Sequence, residues 1–226
     1  MKKALSITKE KVAESAAALF NNNGYAGTSV RDIAEKAGVN VSLISYYFGG
    51  KRGLLEFLMS SFLEGYLQVL QDAYERLEKD SARTCLIRLI EEVIIYQQGR
   101  SQAARLVHRE ISIDTTLIRE IMTTYLMKEK FYLTTILEQG VKQKEFKPCS
   151  KNMVTMQLRS MLFMPFLYPQ YVKEIYQFSV NDRYFTSKYS SALQDWVNDT
   201  LCIQYDSESI SGKDKEKLAN SSIGAG

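Results

Sequence analysis

The chain has 226 residues, of which 45% are hydrophobic and 24% are charged, a balance that disfavours both a fully disordered chain and a membrane-embedded one. Three prolines and 12 glycines are too few for a many-stranded sandwich or barrel, which needs a turn about every 8–12 residues. The net charge of +3 is uneven: residues 1–53 carry +4 and the remainder carries −1. A basic element of this kind is typical of a module that binds a polyanion, although chance unevenness explains the same count.

The N-terminal segment predicts a helix over 8–23. Val12, Ala16 and Phe20 recur at helical spacing, which places them on one face. Thr8 is the expected N-cap, and Gly24 supplies the stop signal.

Two short helices follow. The first is predicted over Val30–Ala37, capped by Thr28 or Ser29, and the second over Val41 to about Tyr47, capped by Asn40. A tight turn at Gly38 separates them. Two short helices joined by a glycine-containing turn, behind a longer first helix, form the helix-turn-helix pattern that binds DNA.

The rest of the chain predicts a helical bundle. After Gly49 and Gly50, apolar residues recur at helical spacing over 51–79, 82–97, 101–111, 115–142, 150–166, 168–178 and 184–203. We therefore expect an all-α protein with a DNA-binding domain over 1–53 and a dimerisation and regulatory domain over 54–205. The polar residues 206–226 predict a disordered tail.

Three short motifs carry a resemblance to a known family. They are GYAGTSVRDIA at 24–34, AGV at 37–39 and YFGGK at 47–51. Together they resemble the N-terminal domain of TetR-type transcriptional regulators. The resemblance implies an all-helical homodimer with N-terminal DNA-binding helices and a variable C-terminal bundle that usually senses a ligand.

The same resemblance assigns residues to the DNA. Base or groove contacts are expected from Arg31, Val41, Ser42, Ser45 and Tyr46, because the first turns of a recognition helix reach base edges in the major groove. For Arg31, an ion pair with Glu35 is the competing interpretation.

Phosphate contacts are expected from Ser29, Asn40, Tyr47 and Lys51, and such contacts position a protein without specifying sequence. A solvated charge is the alternative for Lys51, and a core position for one of the adjacent tyrosines. Two positions depart from the family pattern: Ser45 stands where a tyrosine is common, and Gly50 replaces the usual capping serine. Base preferences of relatives therefore do not transfer.

A closer resemblance involves the body of the chain. The stretches ISYYF at 44–48, IDTTLIREIM at 113–122 and TYLMKEK at 124–130 look like those of TetR-like proteins of endospore-forming bacteria. The closer resemblance implies binding to short palindromic chromosomal motifs and regulation of the cell-division protein FtsZ around sporulation. The charged central segment offers a candidate partner surface in Arg105, Arg109, Glu110, Arg119 and Glu120; solvated faces and intrahelical pairs are the competing interpretation.

The dimer interface is expected in the C-terminal helices. Two stripes there are rich in methionine and aromatic residues, which are enriched in interface cores: Leu158, Met161, Leu162 and Phe166, and Phe185, Tyr189, Leu193 and Trp196. An internal core explains the same stripes equally well. A two-fold dimer would set two recognition helices about 34–36 Å apart, so that they read an inverted repeat.

An enzyme is the first competing class, and the residues disfavour it. The single histidine, His108, has no nucleophile motif beside it, and paired zinc ligands are absent from the sequence. We expect neither a metal nor a cofactor.

The three cysteines have no paired spacing, and an apolar leader is absent, so a cytoplasmic, nucleoid-associated protein is expected. A repressor released by a small hydrophobic effector, with the Met-rich segment 153–164 as pocket wall, is the alternative within the family.

Overall fold

The computed structural model describes residues 2–113 and 115–203, with side chains from Thr8 onward. The described residues form α-helices joined by short connections, as the sequence predicts. The helices are α1 (Lys2–Asn23), α2 (Val30–Ala37), α3 (Val41–Phe48), α4 (Lys51–Glu75), α5 (Ala82–Gln98), α6 (Ser101–Ile111), α7 (Thr116–Ile121), α8 (Met127–Lys142), α9 (Lys151–Leu167), α10 (Pro169–Tyr176) and α11 (Arg183–Thr200).

Helices α1, α2 and α3 form a small unit around a shared apolar centre, which we call the head. Val12, Phe20, Ile33 and Ile44 have no exposed surface. Their spacing on each helix turns one apolar stripe inward, and no single helix of this length could bury that stripe alone. The head therefore depends on mutual packing of its three helices.

Helix α4 connects the head to the remaining helices, which we call the body. It packs against α1 and α3 at its start and against α5, α6 and α8 further along. Helix α11 lies along α5, and α9 packs on α6 and α8. The buried side chains of head and body form one continuous cluster. The predicted domain boundary at residue 53 falls in the first turn of α4, and the division at that residue stays a prediction.

Several predicted helix ends differ from the structure. Thr8 is not an N-cap, because α1 already begins at Lys2, where Ala4 and Leu5 are strong helix formers. The helix predicted over 51–79 changes after Glu75 to a 3₁₀ turn at Arg76–Glu78. Ser81 then caps α5 by accepting a bond from the Thr84 amide. The predicted tail at 206–226 lies outside the described residues.

The helix predicted over 115–142 is interrupted. Between α7 and α8, the segment Met122–Leu126 is a π-helix. The hydroxyls of Thr123 and Thr124 donate to the carbonyls of Arg119 and Glu120. Such bonds from side chain to backbone compete with the regular helical ladder. The periodicity of apolar residues does not reveal this competition, so the sequence predicted a single helix.

The two C-terminal stripes pack mainly inside the body. Leu158, Leu162 and Phe166 on α9 and Phe185 and Leu193 on α11 are buried. Met161, Tyr189 and Trp196 are half-buried. Five of the eight side chains thus belong to the core of the protomer, which favours the internal core over the dimer interface as their explanation. Exposed apolar side chains lie instead on other faces, among them Met153, Met156, Met164, Tyr171 and Ile175.

The core of the body contains buried polar groups. Glu129 accepts a 2.8 Å bond from the Tyr66 hydroxyl and bonds from Nε of Arg159 at 3.1 and 3.2 Å. Next to them, Nε2 of His108 lies 2.6 Å from Oε1 of Gln97. The Gln97 amide nitrogen is committed as a donor to the Leu162 carbonyl, so Gln97 accepts and Nε2 of His108 carries the proton.

Burial lowers the pKa of His108 to about 3, with the nearby Arg159 charge acting in the same direction. The folded state therefore favours the neutral ring, and stability is lost as pH falls below the ordinary histidine value near 6.5. We expect the unfolding free energy to drop as pH falls from 6.5 towards 5, with a slope that approaches about 1.4 kcal/mol per pH unit near pH 5. Denaturant unfolding at several pH values tests this expectation. His108→Gln should remove the slope in that range, because the chain has one histidine; an unchanged slope would contradict the assignment.

We also searched the described residues for membrane-spanning helices and for metal-binding groups. Over 2–113 and 115–203, no helix is both long and apolar enough to cross a bilayer. The same residues contain no group of three or more His, Cys, Asp and Glu side chains that could hold a metal ion.

Candidate nucleic-acid interface

A capping box fixes the start of α2. The Ser29 hydroxyl accepts a 3.2 Å bond from the Asp32 amide, and the Asp32 carboxylate accepts a 2.8 Å bond from the Ser29 amide. The hydrogen bond from the Ser29 backbone amide, and after it the Ser29 side chain, lowers the pKa of the Asp32 carboxyl. Of the two predicted caps, Ser29 is the one used.

Helix α3 is bounded on both sides by specific backbone geometry. Gly38 and Gly49 adopt left-handed conformations with φ of 66° and 69°, which cost glycine little. Asn40 caps the helix by accepting from the Ser42 amide at 2.9 Å and the Ser42 hydroxyl at 2.7 Å. With the described residues, the Asn40 amide nitrogen makes no hydrogen bond, so it can donate outward. The first turn of α3 is therefore held in place by Asn40, which accepts from the Ser42 and Leu43 amides.

The outer face of α3 exposes four of the residues predicted to read bases. Tyr46 is 78% exposed and Val41 is 41% exposed, while Ser42 and Ser45 are also exposed. Arg31 is exposed on α2. Among the described residues it makes no ion pair, including with Glu35. An exposed aromatic ring and a free guanidinium beside a helix N-terminus suit a nucleic-acid surface.

Tyr47 and Lys51 lie nearer the core. Tyr47 is half-buried with its ring 6.2 Å from that of Phe48. The Lys51 ammonium donates to the carbonyls of Tyr25 and Thr28, each at 2.9 Å. It also lies 4.4 Å from the centre of the Tyr25 ring. One of its three protons remains for a phosphate, so the side chain is committed first to the connection between α1 and α2.

Sequence reasoning missed the partners of Lys51. Thr28 is buried, and its hydroxyl donates to the Gly24 carbonyl at 2.8 Å. The Tyr25 ring packs 5.4 Å from Phe20. The signal was present in the motif at 24–34, whose glycines, tyrosine and threonine form a tight connection, but the sequence does not show which carbonyls face Lys51. Gly50, where a capping serine is usual, provides no side-chain cap for α4.

The predicted partner surface in the body is not a continuous exposed surface. Arg119 and Glu120 are exposed on α7, and Arg105 is half-buried. Glu110 is only 6% exposed, so its assignment to an accessible surface is wrong. It pairs with Arg109 at 2.9 Å, because a buried carboxylate needs a compensating charge.

Arg109 also binds the end of α1. Its Nη2 donates to the Phe20 carbonyl at 2.8 Å and its Nη1 to the Asn21 carbonyl at 3.3 Å. The buried Asn21 side chain donates in turn to the backbone and side-chain oxygens of Gln102. These bonds form a clamp between α6 and the last turn of α1, where the helix dipole attracts a cation. Arg109 therefore connects the body to the head rather than facing a partner.

Comparison with known proteins agrees with this geometry. Residues 13–58, which span the head and the start of α4, match the family described as "Bacterial regulatory proteins, tetR family". The chain is 45% identical over 190 residues to the "Probable HTH-type transcriptional regulator YttP" of Bacillus subtilis (strain 168). That alignment covers 84% of this chain and 92% of the relative. The chain belongs to the tetR family.

Solved structures share the fold over most of this tetR-family chain. The TetR-family regulator PfmR from Thermus thermophilus superposes with a TM-score of 0.71 at 21% identity, covering 84% of this chain and 97% of PfmR. The transcriptional regulator FadR from Bacillus subtilis, solved in complex with stearoyl-CoA, gives a TM-score of 0.61 at 19% identity, covering 81% and 97%. TetR-family members are DNA-binding transcriptional regulators and not enzymes. They bind DNA as dimers, and some bind small-molecule ligands.

Proposed function

We propose that this regulator binds an inverted repeat as a homodimer, with one α3 from each protomer in successive major grooves. Arg31, Val41, Ser42, Ser45 and Tyr46 contact bases or the groove. The observation that carries the proposal is the exposed outer face of α3. The helix is capped at both ends, and its inner face is buried in the head. A recognition helix needs this combination of rigidity and accessibility.

The phosphate contacts in this proposal come from Ser29, Asn40, Tyr47 and Lys51. Ser29 and Asn40 support it best, since both are exposed and cap helices whose N-terminal amides attract an anion. Binding of chromosomal repeats would place the protein at the nucleoid. Genome-wide mapping of bound DNA, followed by footprinting on the recovered sites, tests the proposal; binding sites without two-fold symmetry would contradict it.

Arg31→Ala should relax specificity at one base pair of each half-site. A bidentate guanidinium contact with guanine discriminates by about 1–3 kcal/mol, so binding to the preferred site should weaken, while binding to sites that already differ at that base pair stays unchanged. Competition binding with a library of single-base variants measures this effect. Lys36→Ala, an exposed base at the far end of α2, is the control. Equal weakening on every sequence would identify Arg31 as a phosphate contact instead.

We further propose that the DNA-bound protein regulates FtsZ assembly during sporulation. The support is the resemblance of the stretches at 113–122 and 124–130 to the FtsZ regulator RefZ of endospore-forming bacteria. Within these stretches, Arg119 and Glu120 are exposed on α7, followed by the π-helical segment. Adjacent charges of opposite sign on an accessible helix suit a polar protein contact.

Sedimentation of FtsZ polymers in the presence of the protein and its DNA tests this activity. The wild type should change the amount of polymer, and the double change Arg119→Ala with Glu120→Ala should abolish the effect while DNA binding is retained. Lys128→Ala, which removes an exposed charge on α8, is the matched control. Absence of any effect of the wild type on FtsZ under all DNA conditions would reject the activity.

A second candidate function is a repressor released by a small ligand. Its specific support is a groove of about 500 Å³ between α8 and α9, lined by Met153 and Met156 among others, within the size range of ligand sites. The stearoyl-CoA complex of FadR provides a family example of ligand binding. A compound that raises the melting temperature and releases the DNA would support this function.

A further inference from the structure

We propose that the groove between α8 and α9 binds a small amphiphilic carboxylate through Arg159. The inference rests on the second candidate function above and names the chemical class of its ligand. The groove is lined by Leu126, Glu129 and Lys130 on one side and by Met153, Thr155, Met156 and Arg159 on the other.

Arg159 is held in place but keeps free donors. Its Nε is bound by the Glu129 carboxylate, and its guanidinium carbon lies 4.5 Å from the centre of the Phe163 ring. Among the described residues, no acceptor bonds to its Nη1 or Nη2, and the side chain is 30% exposed. A fixed guanidinium with two unused NH₂ groups is the geometry that a carboxylate fills.

A second polar group in the groove lacks a partner. Thr155 is only 7% exposed, and its hydroxyl makes no hydrogen bond with the described part of the protein. A buried hydroxyl left without a partner costs free energy. It lies on the wall that carries Arg159, one helical turn earlier. The Thr155 hydroxyl is itself enclosed by protein atoms, so Arg159 is the group that would bind the ligand headgroup.

The charges in the groove favour a monoanion. Arg159 and Lys130 supply two positive charges and Glu129 one negative charge, leaving a single positive charge for the ligand. A dianionic headgroup such as a phosphate monoester would meet repulsion from Glu129. The remaining walls are the polar Asn152 and Thr155 and the apolar Leu126, Met153 and Met156. Met153 and Met156 are 57% and 62% exposed. They suit an alkyl tail, since methionine adapts to irregular apolar shapes.

Calorimetric titration of the full-length protein with octanoate and with 1-octanol tests the site. Octanoate should bind at least tenfold more tightly than the alcohol, because only the acid engages Arg159. Arg159→Gln should weaken octanoate at least tenfold, whereas Arg88→Gln, which removes an exposed cation from α5, should leave it unchanged. Equal binding of acid and alcohol would overturn the proposal.

Arg159→Gln also deprives the buried Glu129 of its partner and can impair folding. Met156→Glu avoids this difficulty, because the side chain is exposed and its change puts a negative charge against the ligand. It should lower octanoate affinity at least tenfold with an unchanged melting temperature and oligomeric state. If Met156→Glu instead dissociates a dimer and octanoate does not bind the wild type, a second copy of the chain covers the groove and the proposal is wrong.

DNA binding is measured with the same samples, so that failure of the octanoate site can be distinguished from failure of the proposed regulatory function. Wild-type protein that binds its operator but not octanoate rejects this site and leaves the DNA-binding function intact. Octanoate that binds through Arg159 without changing operator affinity supports the site and rejects the ligand-responsive repressor.

Discussion

Arg109→Ala is expected to lower the unfolding free energy by about 3 kcal/mol, near the lower end of the range for breaking a buried ion pair because Arg109 itself is partly exposed. The change leaves the buried Glu110 carboxylate without its counter-charge and removes the donors from the Phe20 and Asn21 carbonyls. Chemical denaturation followed by circular dichroism measures the loss.

Arg105→Ala is the matched control, since Arg105 lies one turn earlier on α6 and is also half-buried. With the described residues it forms neither a hydrogen bond nor an ion pair. It should cost less than about 0.5 kcal/mol. The double change Arg109→Ala with Glu110→Gln should recover part of the loss, because no buried charge then remains. If Arg109→Ala and Arg105→Ala have equal effects, the clamp between α6 and α1 contributes no stability.

The clamp also makes a prediction about operator spacing. Because Arg109 fixes the end of α1 relative to α6, its removal should leave each head less firmly oriented on its body. The preference for one separation of half-sites should then broaden. Binding to operators whose spacer differs by one base pair measures this preference, and an unchanged preference would restrict Arg109 to a role in stability.

Lys51→Met should lower the unfolding free energy by about 2–3 kcal/mol, since hydrogen bonds from a charged donor contribute about 1.5–3 kcal/mol each and the methionine retains the apolar stem. The bonds at stake are those to the Tyr25 and Thr28 carbonyls. Arg52→Met is the control: Arg52 is 71% exposed and pairs only with Glu56 on its own helix among the described residues, so its loss should be within about 0.5 kcal/mol.

The same Lys51 variant tests the predicted phosphate contact. If the remaining N–H of Lys51 binds a phosphate, the slope of log affinity against log salt should flatten by about 0.9 and binding should weaken on all sequences. Titrations at several salt concentrations, well below the melting temperature, separate this effect from stability. A loss of stability with an unchanged slope would remove Lys51 from the phosphate contacts.

The sequence predicted the fold class and the helix-turn-helix well, because local signals determine both. Asn40 and the glycines at 38 and 49 act through their own backbone geometry, so a single sequence reveals them. The N-terminal extension of α1 and the π-helical segment were missed, since neither changes the periodicity of apolar residues.

Hydrogen-bond partners that lie far apart in the chain could not be predicted from the sequence. Arg109 contacts carbonyls 88 and 89 positions earlier in the chain, and backbone carbonyls have no residue identity from which a pair could be predicted. For the same reason Glu110 looked like one charge among many on a solvated face. Burial decides the role of such a residue, and burial depends on how α6 packs against α1 and α9.

The glycine boundaries of α3 have an evolutionary consequence. Its fold depends on Ile44 and Phe48 inside and on the backbone geometry of Gly38 and Gly49 at its ends. The outward side chains contribute little to the folding of α3, apart from the hydrogen bond between Ser42 and Asn40. They are Val41, Ser42, Ser45 and Tyr46. Mutations on the outer face can therefore change which operator is bound at almost no cost in stability, so DNA preference can diverge among relatives while the head stays the same.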